Sequence, residues 1–168
     1  REEVLFAIFP AYERMLAEHN AYDFDDLLRI PLSILRSQPS VRALYQSRWR
    51  FISVDEYQDT NPMQEEIISH LMGPQQNICV VGDDYQSIYS WRGASVDHIL
   101  QFEQRHPGCT TILLTQNYRS TPNILDAANS VIALNVDQKH KTLWTTQESG
   151  SDVAVMRLPS DRGEAEWV

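Results

Sequence analysis

Basic residues are scarce in this chain. Fourteen Lys and Arg stand against 23 Asp and Glu over 168 residues, a formal net charge of −9. A protein that binds nucleic acid through phosphates alone is basic, so this balance argues against a purely electrostatic grip. It does not exclude a protein that holds single strands by stacking bases on aromatic rings beside a few arginines. Cysteine is nearly absent. Cys79 and Cys109 stand alone, which suggests neither a disulfide framework nor a zinc site. Such usage fits a reducing compartment, a cytosol or nucleoid. Within Ile78-Cys79-Val80-Val81, Cys79 reads as a small buried strand residue. No apolar run approaches the roughly 20 residues of a transmembrane helix, so no membrane partner is expected. The chain opens Arg1-Glu2-Glu3, without a signal-peptide pattern. None of its six glycines is followed by lysine, so a G-x-x-x-x-G-K-[ST] phosphate loop is absent. There is no internal repeat and no low-complexity segment. The apolar content, 42%, suffices for one core or one core plus part of a second.

Strands and helices alternate along the chain. Leu5, Ile8, Phe9, Tyr12 and Leu16 recur at helical spacing, predicting a helix over 2–18 that Asn20 stops. A second helix opens at 24–28, with Asp23 as its N-cap and acids in its first turn. Pro31 lies early in that pattern, where it can split it. Phe51 to Val54 reads as a short buried strand. Asn61-Pro62 starts a helix with Met63, Ile67 and Leu71 on one face, ended by Gly73-Pro74. Ile78 to Val81 reads as the next strand, 95–105 as a helix, and Thr111 to Leu114 as another strand. Thr121-Pro122 starts a helix carrying Ile124, Leu125, Ala128 and Ile132. Residues 139–151 read as a polar loop, Asp152 to Leu158 as a strand, and 162–168 as the start of a helix. This alternation predicts an α/β fold with a parallel sheet. Ligands of such sheets sit at the carboxyl ends of strands. Asp55-Glu56 and Gly82-Asp83-Asp84 both fall at such ends and should face one crevice.

Adjacent carboxylates at the end of an apolar strand repel one another and resist burial, so Asp55-Glu56 asks for a use. The plain reading is a solvated strand end. The chemical reading is Mg²⁺-nucleotide chemistry, in which one carboxylate holds the metal shell and its neighbour orients the attacking water. Gln86 follows the turn 82–85, and a neutral amide can bond a γ-phosphate oxygen and lose that bond on hydrolysis. Tyr89, Trp91 and Arg92 come next. Bases stack on aromatic faces whatever their sequence, and Arg pairs a phosphate or stacks; the plain reading of the two rings is core packing. Arg119, in Asn117-Tyr118-Arg119-Ser120, is a fixed cation whose fork fits phosphate oxygens, or else a surface ion pair. The acids Asp23, Asp25 and Asp26 read first as an ordinary helix start. His70, His98 and His106 lack ligand spacing and read as surface or capping residues.

Four blocks, DFDDLL, VDEYQDTN, VGDDYQSIYSWRGA and LTQNYRS, occur in this order within 21–135. In that order they resemble consecutive motifs of the UvrD/PcrA/Rep-like superfamily 1 DNA helicases. The resemblance implies a RecA-like P-loop NTPase fold, a parallel sheet flanked by helices, with ATP and Mg²⁺ as cofactors. It implies that Asp55 holds the Mg²⁺, that Glu56 is the base, and that Gln58 belongs to the nucleotide-binding set, lying close by and linking this loop to its neighbours. Gln86 would connect the γ-phosphate to DNA, while Tyr89, Trp91 and Arg92 would line the single-strand path. Tyr118 would stack on the adenine, and Arg119 would reach the γ-phosphate like an arginine finger. The implied partners are single-stranded DNA, single-strand/duplex junctions, and repair or replication accessory proteins; the implied polarity is 3′ to 5′.

Because the family carries its phosphate loop upstream of these blocks, the chain is expected to be an internal fragment. Residues 1–20 would end an inserted helical subdomain, 21–115 would form the C-terminal half of the first RecA-like domain, and 116–168 would begin the second. Two other readings stand beside this one. A helicase-nuclease of the AddA or RecB group shares DEYQDT-type and YRS-type blocks, but the continuous QSIYSWRGA and the DFDDLL block favour the UvrD branch. A non-catalytic single-strand-binding remnant would be expected to lose the acidic pair. The isolated chain should hydrolyse ATP only at background rate; robust turnover by the purified chain, abolished by Glu56→Gln, would overturn that expectation.

Overall fold

A computed structural model describes residues 2–168 and divides into two compact units, one ending at Arg105 and one spanning His106–Val168. The first unit opens with α1 (Glu2–Glu18). Asn20 stops it as expected, with a left-handed backbone (φ 48°) and Ala21 N–H returning to Leu16 O at 2.9 Å. Helix α2 (Asp26–Ser37) starts where the acids predict. Asp23 Oδ1 accepts from Asp26 N at 2.8 Å, and Asp26 Oδ2 accepts from Asp23 N at 3.4 Å. Tyr12 Oη donates to the other Asp23 oxygen at 2.8 Å, fastening α1 to this start. Pro31 does not split α2. Its missing N–H falls in the second turn, and buried Leu32 and Leu35 hold the following turns against neighbouring helices.

Helix α3 (Pro39–Arg48) is an addition to the sequence reading, although Pro39 at its first position signals it. Helix α4 (Pro62–Leu71) begins at Asn61 with a reciprocal cap: Asn61 Oδ1 accepts from Gln64 N, and Gln64 Oε1 from Asn61 N, both at 2.9 Å. Helices α2, α3 and α4 pack on one another. Arg36 Nε donates to Glu66 at 2.6 Å, and Gln46 Nε2 to His70 O at 2.8 Å.

Strands β1 (Ile52–Val54) and β2 (Ile78–Val80) form a parallel pair, Ile52 opposite Ile78 and Val54 opposite Val80. Val81 N still donates to Val54 O at 2.8 Å. Successive strand side chains point to opposite faces. Ile78 and Val80 are half-buried, whereas Cys79 is exposed together with Ser53, so the expectation of a buried cysteine is corrected. That face of the pair is uncovered among the described residues.

The predicted helix over 95–105 is two single turns, α5 (Asp97–Leu100) and α6 (Phe102–Arg105), interrupted at Gln101. The second unit contains α7 (Pro122–Ile132), anchored by buried Leu125, and α8 (Asp161–Trp167), capped by Ser160 Oγ on Gly163 N at 3.1 Å. Two expected strands are not formed. Thr111–Leu114 and Asp152–Leu158 have no strand ladder among the described residues, and Ile112, Leu114 and Val155 stay exposed. A strand persists through its pairing. Here pairing begins only at Gln116, which bridges Trp144 in parallel, with Asn117 N donating to Trp144 O at 2.7 Å. Among the described residues, no helix is long and apolar enough to cross a membrane.

The centre of the first unit is Tyr57, 0% exposed. Phe102 meets its ring edge-on at 5.6 Å, and its hydroxyl donates to Glu65, which also pairs with Arg105. Burial first, and the Glu65 hydrogen bond second, push this phenol above its ordinary 10.0. The folded state therefore holds the proton more tightly than the unfolded chain. The corresponding stability is complete below the ordinary value and is lost as pH rises above it. Tyr57→Phe should lower Tm at neutral pH, by about 1–3 kcal/mol of stability if Glu65 loses its donor. It should also flatten the alkaline fall in Tm, and parallel Tm–pH curves for the two proteins would contradict this account.

Candidate functional site

Parallel pairing puts the carboxyl ends of β1 and β2 side by side, so the two acidic turns leave the sheet at one edge. At the end of β1, Asp55 and Glu56 are both exposed. Glu56 has a left-handed backbone (φ 51°, ψ 42°), and Asp55 Oδ1 accepts its N–H at 2.9 Å. The chain then makes a short 3-10 turn over Tyr57–Asp59, which buries Tyr57 and Gln58. Tyr57 N donates to Val81 O at 3.0 Å, seating this turn on the end of β2.

Gln58 joins the two acidic turns. It is 1% exposed. Its Nε2 donates to Glu56 Oε2 at 2.8 Å, and its Oε1 accepts from Asp83 N at 2.9 Å. Asp83 caps the next 3-10 turn, Asp84–Gln86, with Oδ1 accepting from Tyr85 N at 3.1 Å. Its Oδ2 accepts from Gln86 Nε2 at 2.8 Å. Glu56, Gln58, Asp83 and Gln86 thus form one hydrogen-bonded series, and the exposed Gln86 stands at its end.

The segment after Gln86 carries the aromatic pair. Tyr89 and Trp91 have ring centroids 6.3 Å apart, and the Arg92 guanidinium lies 5.7 and 5.6 Å from the two centroids. Trp91 is 76% exposed, which removes the core-packing reading for it. Gly93, with φ 81°, supplies the left-handed residue that closes the turn Ser90–Arg92. The segment then returns to the first motif: Ser95 N donates to Thr60 O at 3.1 Å. His98 Nδ1 lies 2.9 Å from Thr60 Oγ1 and 3.0 Å from Thr60 O, while Thr60 Oγ1 donates to Tyr57 O at 2.8 Å. Residues 83–95 are therefore pinned at both ends to the turn over 57–60, by Gln58 at the start and Thr60 at the finish. Thr60 and His98 are the residues that sequence reasoning missed. His98 is half-buried at this junction and not a surface residue. Thr60 stood inside a recognised block, but nothing in the sequence joins positions 38 apart.

In the second unit, Asn117 Oδ1 accepts from Arg119 N at 2.9 Å and from Ser120 N at 2.8 Å, folding the motif into a tight turn. Tyr118 is exposed, its hydroxyl donating to Gln116 Oε1 at 2.9 Å and its carbonyl accepting from Gln147 Nε2 at 2.6 Å. Arg119 is exposed on the same turn.

The family model described as the UvrD/REP helicase N-terminal domain matches residues 1–107, and that of the UvrD-like helicase C-terminal domain matches residues 112–168. Among curated relatives, the ATP-dependent DNA helicase PcrA of Staphylococcus epidermidis is 43% identical over 166 residues. The protein of the same name from Staphylococcus aureus strain Mu50 is also 43% identical over 166 residues. Each match covers 99% of this chain, which spans only 23% of the relative's length.

The junction leaves no room at Gly82. A Cβ there would lie 2.6 Å from Gln58 Oε1, 2.8 Å from Ile99 Cδ1 and 3.1 Å from Tyr57 N. Gly82→Ala should therefore lower stability by about 1–3 kcal/mol through overpacking, read as a drop in Tm. An unchanged Tm would show that the two turns are not held as tightly as their hydrogen bonds suggest.

Proposed function

The chain belongs to the UvrD/REP helicase family, and from that premise we propose that its parent protein is an ATP-driven motor that moves along single-stranded DNA and opens duplexes. The observation that carries this reading is the double attachment of 83–95 to the 57–60 turn. It ties the Asp55-Glu56 pair, the Gln86 amide and the Tyr89-Trp91-Arg92 cluster into one piece of backbone. Chemistry at the acidic end then has a short covalent and hydrogen-bonded route to the aromatic end.

Under this reading residues 21–115 form the C-terminal half of the first RecA-like domain, 1–20 end an inserted subdomain and 116–168 open the second RecA-like domain. The parallel pair with both acidic turns at one edge supports that assignment. Asp55 offers an exposed hard oxygen, the donor type that Mg²⁺ takes when it keeps water and phosphate in its shell, so the donor set fits the ion. Bound there with ATP, the metal would neutralise charge on the phosphate oxygens. Glu56, held by Gln58, orients and deprotonates the hydrolytic water. Gln86 contacts the γ-phosphate, Tyr118 stacks on the adenine, and Arg119 supplies a cation to the transferred phosphoryl group. Tyr89, Trp91 and Arg92 take the DNA bases and backbone. Single strands and junctions are the substrates, with the 3′ to 5′ polarity that the resemblance implies and repair or replication proteins as partners.

Two successive UvrD-type matches and relatives named as DNA helicases favour this reading over a helicase-nuclease. The retained Asp55 and Glu56 favour it over a non-catalytic strand-binding remnant. In the full-length protein, Trp91→Ala should weaken single-strand binding by about 1–3 kcal/mol, the worth of a stacked base. It should uncouple ATP hydrolysis from unwinding and leave nucleotide affinity near its original value, whereas Glu56→Gln should bind nucleotide and fail to turn over. Normal unwinding by the Trp91 variant would remove the stacking assignment.

A further inference from the structure

We propose that Gln58 is a positioning residue that fixes the Glu56 carboxylate against the loop bearing Gln86, so that the base is set only while that loop holds its present place. The inference rests on the functional reading above and goes beyond it, because it assigns Gln58 no contact with nucleotide. Both polar ends of this side chain are spent inside the protein, on Glu56 Oε2 and on Asp83 N.

The chemistry of the amide makes the assignment specific. A buried carboxamide must satisfy an acceptor and a donor end. Here its donor meets a carboxylate and its acceptor meets a backbone N–H. Turned over, its oxygen would face the Glu56 carboxylate and its NH₂ would face the Asp83 N–H, a mismatch at both ends. The orientation is therefore fixed by its surroundings. Asp83 then passes the link on, since its carboxylate holds Gln86 Nε2 at 2.8 Å and Tyr85 N at 3.1 Å. A displacement of the turn Asp84–Gln86 pulls on Asp83, and Asp83 N pulls on Gln58. The carboxylate of Glu56 loses its hydrogen-bond donor if Gln58 turns away. Gly82 sits beneath this contact, and even a methyl group there would collide with Gln58 Oε1.

Two substitutions of similar size separate positioning from packing. Gln58→Leu removes both hydrogen bonds. Gln58→Glu keeps the acceptor for Asp83 N but faces Glu56 with a second carboxylate; once protonated, the new carboxyl donates an O–H and reproduces the amide's pattern. In the full-length protein with single-stranded DNA, both variants should lose about tenfold to a hundredfold in kcat, part of the ~10²–10⁴ that a positioned base supplies. KM for ATP and affinity for a non-hydrolysable ATP analogue should change little. The Gln58→Glu rate should recover relative to wild type as pH falls from about 8 to about 6, because like-charge pairing and burial favour the protonated carboxyl. Gln58→Leu should show no such recovery. Without nucleotide, the Tm of Gln58→Glu should also rise relative to wild type over that fall in pH, because its folded state holds the extra proton more tightly than its unfolded state.

Loss of kcat that tracks loss of Tm in both variants, with no pH-dependent recovery, would make Gln58 a packing residue and overturn the proposal, as would failure of both variants to fold. A full-length wild type without DNA-stimulated ATP hydrolysis would instead overturn the functional reading on which the proposal rests.

Discussion

A long polar side chain buried to 1% exposure constrains everything around it, and in this molecule that side chain is Gln58. Its two ends demand opposite partners, so the groups at Glu56 and Asp83 must stand where a single amide spans them. That condition requires β1 and β2 to be parallel and in register, because only then do their carboxyl ends lie side by side. It requires Gly82, because a Cβ would occupy the same space. It also requires the Tyr57–Asp59 turn to fold inward. That inward fold buries Tyr57 and draws Glu65, Phe102 and Arg105 around its ring and hydroxyl. Sheet register, turn geometry and the Glu65–Arg105 ion pair between α4 and α6 are linked through adjacent residues of one motif.

Much of this could be read from the sequence, and the parts that could not share a cause. The two strand ends on one edge, the Asn61-Pro62 helix start and the Asn20 stop are local patterns, and each appears as read. Trp91 is exposed beside Tyr89 and Arg92, although alternate residues of an arbitrary loop need not share a face. The missed strands and side-chain partners concern pairing between distant segments. An apolar run such as 111–114 becomes a strand only if a neighbour lies alongside, and its composition does not say whether one does. Cys79 was assigned burial from its apolar company, yet alternation along β2 sends it to the uncovered face. His98 reads as a surface or capping residue because its partner, Thr60, lies on a different element. The hydrogen bonds of Gln58 were beyond reach for the same reason, although proximity to its neighbours was legible from the motif.

Net charge and proposed partner also become compatible once the cationic group is located. The chain is acidic overall, but Arg92 stands within 6 Å of two aromatic centroids on an exposed loop. A cation over aromatic faces contributes by its position, not by the sum of charges over the chain. Stacking is indifferent to base identity and less dependent on counterion release than a row of lysines. Such a surface is compatible with the proposed single-stranded partner.

The backbone at Glu56 sets the acidic pair apart from a frayed strand end. A residue with a Cβ in the left-handed region is disfavoured by roughly 1–2 kcal/mol. A solvated strand end has many alternatives and no reason to settle there. Here the conformation is held from three sides: Asp55 Oδ1 accepts the Glu56 N–H, Gln58 holds its carboxylate, and Tyr57 N is bonded to Val81 O. Strain of this kind persists only where the surroundings over-determine it. What the strain achieves is visible in the geometry. It turns the chain sharply after Asp55, so that Tyr57 and Gln58 go inward while both carboxylates stay at the sheet edge in solvent. A regular extension of β1 would have sent alternate residues to opposite faces and separated the two acids.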